Sequence, residues 1–174
     1  MEIRPAATVI LLRDRERLEV LTQRRSHSMA FAPGAYAFPG GAVEPIDHES
    51  SDPFIAAAVR ELREETGLSV EPETLRLWAH WITPPGRPRR FDTYFYVAPA
   101  PENSDVIADD AESESHLWVA PADLISQFEA EQVTMLPPTY FTLREINEFA
   151  SVAELMAATS HREITFFDGT KERP

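Results

Sequence analysis

The sequence predicts an α/β domain of the α+β kind, with helices packed on a mixed β-sheet. Three observations carry this expectation. At 174 residues, 43% hydrophobic and 26% charged, the chain can bury one sizeable core and is too apolar to stay disordered. Short β-rich runs bounded by turn residues alternate with amphipathic helical stretches, each with its own hydrophobic period. Most of the strands precede the last helices, and no repeat or linker interrupts them, so residues 1–174 read as a single domain.

Thr8 to Leu12 and Leu18 to Thr22 are β-rich and flank the charged turn Arg13 to Arg17, which predicts a hairpin. Ser26 to Pro33 reads as a loop, and Ala35 to Phe38 as a short strand ended by Pro39-Gly40-Gly41. Pro45 to Pro53 is polar and acidic, a loop or short insertion. Phe54 to Thr66 has helical periodicity, with Asp52 as N-cap, Pro53 in the first turn and Gly67 as a left-handed cap. Strands Leu75 to Thr83 and Phe91 to Val97 surround the turn Pro84 to Pro88, and Pro99 to Glu114 is an acidic loop. Leu117 to Ala120 predicts a strand, and Pro121 opens a helix to about Phe128. A helical segment over about 139–160 follows as Thr139 to Phe149 and Ser151 to Ala158, with Ser151 and Glu154 spaced as a capping box. Glu163 to Phe167 adds an edge strand. The alternation of Trp78, Trp81, Tyr94 and Tyr96 places most of these rings in the core.

Charge and composition exclude several function classes. Sixteen Lys and Arg against 29 Asp and Glu give a formal net charge of -13, a field that repels nucleic-acid backbones and anionic membranes. A small anionic substrate stays possible, because bound cations reverse the sign inside one pocket. With no cysteine, disulfides, thiolate metal sites and a Cys nucleophile are ruled out, and a reducing compartment fits. The first residues lack a signal-peptide core, no run of eighteen apolar residues occurs, and the last residues carry no peroxisomal or retention tag. A soluble cytoplasmic protein is expected.

The chemistry concentrates on the Phe54 to Thr66 helix. At 100° per residue, Ile55, Val59, Leu62 and Thr66 share the face this reading buries. Glu61, Glu64 and Glu65, spaced i, i+3 and i+4, share another face near the helix C-terminus. Like charges repel at that spacing, and the helix dipole disfavours anions there. Arg60 and Arg63 offset only part of this. One reading is a solvated acidic face. The other is an oxygen-ligand site for Mg²⁺ or Mn²⁺, hard cations that suit paired carboxylates and keep positions open for water and phosphate oxygens. Context favours the second. Pro39-Gly40-Gly41 lies upstream, on a turn whose carbonyls can face the carboxylates, and Gly40, Gly41 and Gly67 are half of the six glycines.

These residues resemble the Nudix hydrolase signature, G-x5-E-x7-R-E-U-x-E-E-x-G-U with U aliphatic. Gly41 supplies the first glycine, and Arg60-Glu61-Leu62-Arg63-Glu64-Glu65-Thr66-Gly67-Leu68 matches every defined position of the second half. The box covers about residues 40–68. Its first half departs: eighteen residues separate Gly41 from Arg60 where the signature has thirteen. Asp47 satisfies the count from the glycine and Asp52 the count to the arginine, and neither is the expected glutamate. The insertion, with Arg24-Arg25-Ser26, Pro33 to Gly41, Trp81-Ile82-Thr83-Pro84, Arg89 to Thr93 and Leu136 to Thr139, resembles the branch of peroxisomal coenzyme A and acyl-CoA diphosphatases.

The resemblance implies an α/β/α sandwich and hydrolysis of a nucleoside diphosphate linked to another moiety, by water attack on phosphorus. It implies Mg²⁺ or Mn²⁺ held by Glu61, Glu64, Glu65 and the Gly40 carbonyl, with Glu61 either a ligand or the base that orients the water. Arg60 is expected to pair with a neighbouring carboxylate and fix the helix. In this family a loop before a late strand often carries a further ligand or base; Asp109 to Glu114 occupies that place, with Glu112 and Glu114 as candidates or simply solvated acids. Arg87, Arg89 and Arg90 form the densest basic patch. They either grip a phosphate, such as the 3′-phosphate of CoA, or balance Asp92 and the acidic loop. Arg24 and Arg25 are weaker candidates for the same grip. The substrate class implied first is CoA or acyl-CoA, giving 3′,5′-ADP and a phosphopantetheine. Rivals are an ADP-ribose, nucleotide-sugar or dinucleoside-polyphosphate pyrophosphatase, and a ligand-sensing module without turnover. A homodimer is possible by analogy.

Overall fold

The computed structural model describes residues 2–28, 32–106 and 113–170, with Ser113 and Glu114 as backbone only. In chain order they form β1 (Ile3–Asp14), β2 (Leu18–Arg25), β3 (Tyr36–Ala37), β4 (Gly40–Ala42), α1 (Pro53–Thr66), β5 (Arg76–Ile82), β6 (Arg90–Pro99), β7 (Ser113–Val119), α2 (Pro121–Glu129), α3 (Pro137–Ile146), α4 (Val152–Ala158) and β8 (Thr165–Asp168). Short 3₁₀ turns occupy Pro45–Glu49 and Pro72–Thr74.

The strands make one mixed sheet in the order β3-β2-β1-β6-β5-β8, with β4 also on β1 and β7 also on β2. β1 and β6 pair in parallel over ten residues, from Ile3–Arg90 to Leu12–Pro99. That edge being full, β2 and β4 share the other: Leu12–Asp14 pairs with β2, and Ala6–Thr8 with β4. The hairpin strands therefore splay beyond their turn, and residues 36–42 wedge between them. This places Gly40 and Gly41 against the middle of β1.

A core lies on each face of the sheet, because β1 is apolar on both sides. Ile10 and Leu12 pack with Val20, Trp78 and Val97 beneath Leu124, Leu143, Ile146 and Leu155 of α2, α3 and α4. Ala7, Val9 and Leu11 pack with Leu21, Tyr96 and Ala98 beneath Ala57, Ala58 and Leu62 of α1. The sandwich of helices around a mixed sheet is as the sequence predicts. Among the described residues, no helix is long and apolar enough to cross a membrane.

Several details differ from the expectation. The buried face of α1 is Ala57, Ala58, Leu62, Glu65 and Thr66, while Ile55 and Val59 are only half-buried. Alanines let the helix sit close on the sheet, so the small side chains set the contact. Ser151 Oγ accepts from the Glu154 amide, but the Glu154 carboxylate reaches back to Ala150, one residue before the N-cap. β7 begins at Ser113, inside the segment expected to be loop, because pairing with β2 outweighs weak local propensity. The last strand pairs in parallel with β5 from Ala79–Thr165 to Ile82–Asp168. The rings are placed as expected for the most part: Trp78 and Tyr96 are buried in the cores, and Trp81 and Tyr94 are half-buried against them.

Candidate active site

α1 is fixed at both ends by local chemistry. The Asp52 carboxylate accepts from the amides of Phe54 and Ile55 at 3.0 and 3.1 Å. Gly67, with φ of 74°, takes the left-handed cap and donates its amide to Arg63. Asp52 is thus committed to the cap, and the uncertainty over the first acid of the box resolves onto Asp47. Asp47 is buried in the 3₁₀ turn and accepts Arg60 Nε and Nη2 at 3.1 and 2.9 Å, and the Glu44 amide at 2.8 Å. Burial works to raise its carboxyl, but the guanidinium and the amide overcome this and hold it below the usual carboxylate range. The extra residues of the box therefore fall after Asp47.

Arg60 is the hub. Besides Asp47, its Nη1 donates to Glu61 Oε1 at 2.9 Å and to Glu64 Oε2 at 3.1 Å, and its Nη2 to the Ala42 carbonyl at 3.0 Å. All five donor N–H groups are engaged. Chiefly through Asp47, these bonds hold the guanidinium above even its ordinary value. One cation meets three carboxylates here. Burial keeps the Glu61 carboxyl above its ordinary range, against the opposing pull of Arg60. Glu64 is the exposed member, with its side chain 58% accessible.

The glycine pair is where β4 and α1 meet. A Cβ on Gly41 would collide with the Glu61 carboxylate, and one on Gly40, at φ of 154°, with the β1 backbone at Ala7 and Thr8. Glu65 turns inward, is buried, and accepts the Gly40 amide at 2.8 Å. This bond brings Gly40 directly against the carboxylate face of the helix. Among the described residues, no three acidic or histidine groups already converge as a metal cage. Arg60 stands between Glu61 and Glu64, and Glu65 faces Gly40, so the expected convergence is incomplete. The donor set nevertheless fits a hard cation. It offers only oxygens, and a single cationic nitrogen already sits bound by both Glu61 and Glu64.

The other expected residues are spread along the sheet. Glu112 lies outside the described residues, and Glu114 is described only as backbone within β7. Arg24 and Arg25 are half-buried at the end of β2, in ladders with β3 and β7. Arg87 and Arg89 are exposed in the turn before β6. Arg90 donates Nε to the Thr83 carbonyl, and its buried Nη2 has no partner. Arg90 pairs with Ile3, whereas Gly41 pairs with Ala7, about 13 Å further along β1. The structure thus does not bring the arginines of the turn onto the carboxylates. Asp92 is engaged by His80 rather than by those arginines. Sequence reasoning missed that pair; the signal was the hairpin register around Pro84 to Pro88, which sets His80 opposite Tyr94.

Comparison with known proteins gives one consistent result. The NUDIX domain family matches residues 2–138. A putative nudix hydrolase 7 of Caenorhabditis elegans is 26% identical over 180 residues, covering 83% of this chain and 61% of that protein. The human acyl-coenzyme A diphosphatase NUDT19 is 32% identical over 83 residues, covering 47% of this chain and 22% of that protein. The chain thus spans less than two thirds of either curated relative. The crystal structure of a NUDIX hydrolase from Alicyclobacillus acidocaldarius superposes with a TM-score of 0.82 at 24% identity, over 95% of this chain and 98% of the other.

Proposed function

The chain belongs to the Nudix family, and from that premise we propose that it hydrolyses CoA or acyl-CoA to 3′,5′-ADP and an (acyl-)phosphopantetheine. The observation that carries the hydrolase part is the charge imbalance at Arg60, where one guanidinium meets Asp47, Glu61 and Glu64. An anionic diphosphate cannot approach such a cluster unless cations turn its sign. In this reading Glu61, Glu64 and Glu65, with the Gly40 carbonyl and with Glu112 and Glu114, hold Mg²⁺ or Mn²⁺. The bound cation supplies charge neutralisation for the diphosphate and a lowered pKa for water.

The chain's own groups do the rest. Arg60, clamped by buried Asp47, fixes the direction of Glu61 and Glu64. Glu61 either ligates or accepts the proton of the attacking water as one phosphorus–oxygen bridge bond breaks. Arg87, Arg89 and Arg90, with Arg24 and Arg25, grip the peripheral phosphates. Two features support CoA over other linked nucleotides: the insertion between Gly41 and Arg60, and the likeness to an acyl-coenzyme A diphosphatase. A reducing, cytoplasmic setting is part of the same reading, in keeping with a chain that has no cysteine.

The test is product analysis with Mg²⁺ and Mn²⁺ on CoA, acetyl-CoA, ADP-ribose and a dinucleoside polyphosphate, with Glu64→Gln as control. The expected result is release of 3′,5′-ADP, with the highest kcat/KM on CoA or its thioester. Faster cleavage of ADP-ribose would keep the hydrolase and discard the CoA assignment. Tight binding of one compound with no turnover would make the protein a sensor.

A further inference from the structure

One register line crosses the sheet on the face that α1 covers. Gly41 on β4 pairs with Ala7 on β1, Ala7 with Tyr94 on β6, Tyr94 with His80 on β5, and His80 with Phe166 on β8. α1 lies along this line. Glu61 sits on Gly41, and Phe54, seven residues earlier, packs on Tyr94 with ring centroids 4.3 Å apart. Seven residues of helix span about 10 Å, close to the two strand spacings from β4 to β6. The helix ends there, and β5 and β8 continue the line beyond it.

The line continues as aromatic rings. His80 stacks on Tyr94 at 4.1 Å and on Phe166 at 4.9 Å, with interplanar angles of 27° and 29°. Asp92 holds the His80 ring through Nε2. The row Tyr94–His80–Phe166 thus repeats at about the spacing of the strands that carry it, with Phe54 of α1 packed over its inner end. Phe166 is 54% exposed, on the edge strand of the sheet among the described residues. Core packing accounts for Tyr94 beneath Phe54. It does not account for an exposed ring at the end of an ordered stack.

Length and charge select the occupant. From Glu61 to Phe166 is about 20 Å, two helical turns plus two strand spacings, so a moiety next to the cleaved diphosphate does not reach Phe166. Among the described residues, the flanking groups on this face are the carboxylates of Asp52, Asp92 and Asp168, which repel phosphate. An uncharged, extended, apolar arm fits both conditions. We propose that the outer part of this row, His80 and Phe166, is a shelf for the acyl end of an acyl-phosphopantetheine arm, running from the diphosphate along α1 to the sheet edge. This rests on the acyl-CoA reading above and makes Phe166 a determinant of chain-length preference.

The experiment is a chain-length series, CoA, acetyl-, hexanoyl- and decanoyl-CoA, on the full chain, Phe166→Ala and Phe166→Leu, with melting temperatures to confirm folding. Phe166→Ala should lower the decanoyl-to-CoA ratio of kcat/KM about tenfold, the effect of losing contact with roughly two methylenes. Phe166→Leu should restore most of the ratio. An unchanged ratio would overturn the shelf. If the wild-type protein hydrolyses no thioester, the function fails separately. Calorimetric binding of decanoyl-phosphopantetheine then decides the shelf alone: weaker binding to Phe166→Ala supports it, and equal or absent binding overturns it.

Discussion

Two arginine hubs hold this molecule, and they differ in charge. Arg162 donates to Glu145 at 3.0 Å and to the Trp78 carbonyl at 2.6 Å, lies over the Trp78 ring at 3.6 Å, and touches Thr165. Glu145 in turn accepts from Trp78 Nε1 and the Thr165 hydroxyl. One cation meets one carboxylate, and the remaining partners are neutral. That hub latches β8 to α3 and β5, and nothing in it calls for a further ion. Arg60 has all five donors bonded and meets three carboxylates, with Glu65 on the next turn face. What sets Arg60 apart is the uncompensated negative charge around it, gathered at the glycine pair and near the end of a helix whose dipole opposes it.

The comparison breaks most sharply by removing charge from each hub. Glu64→Gln and Glu65→Gln should lower kcat/KM on the order of 10³-fold, as loss of a cation clamp would. Glu65 is buried rather than on the surface, yet glutamine still accepts the Gly40 amide, so both melting temperatures should stay within a few degrees of wild type. Unchanged turnover would remove them from the site. Arg162→Met should do the reverse, costing about 2 kcal/mol of stability in urea while kcat/KM per folded molecule changes less than threefold. A large loss of turnover at full stability would place Arg162 in the chemistry.

Asp47 sharpens the comparison by pH. Its folded-state carboxyl lies below the ordinary value, so its contribution is present above the unfolded pKa of about 4. It is lost as pH falls through the folded one. Melting in a chelator should show Asp47→Asn losing stability at pH 7 and flattening the acid limb below pH 5; parallel curves would contradict this. The smallest expected effect is at the turn. Arg89→Ala should raise KM severalfold for CoA and less for dephospho-CoA, and equal changes would sink the 3′-phosphate assignment.

What the sequence disclosed follows from how local each feature is. The α1 caps, the box glycines and the hairpin rest on neighbours within a few residues, and Asp52, Gly67 and Gly41 could be placed from spacing alone. Asp47 could not, because the insertion lets two acids satisfy opposite counts, and only the cap geometry of Asp52 separates them. The buried face of α1 differs for a related reason: the periodicity groups Ile55 and Val59 with Leu62 and Thr66, whereas close approach to β1 turns Ala57 and Ala58 inward. Nothing local marks Arg162 and Glu145 as partners, or sets Phe166 beside His80. Those contacts depend on β8 pairing in parallel with β5 across more than eighty residues of chain.

The most direct test of the charge argument is Mn²⁺ binding by calorimetry and electron paramagnetic resonance, without substrate. Wild type, Glu61→Gln/Glu64→Gln and Arg162→Met would be compared. The account predicts saturable Mn²⁺ binding to wild type and Arg162→Met, abolished or weakened at least tenfold in the double variant. Equal Mn²⁺ affinity in all three proteins would contradict the claim that the surplus carboxylates around Arg60 form the metal site.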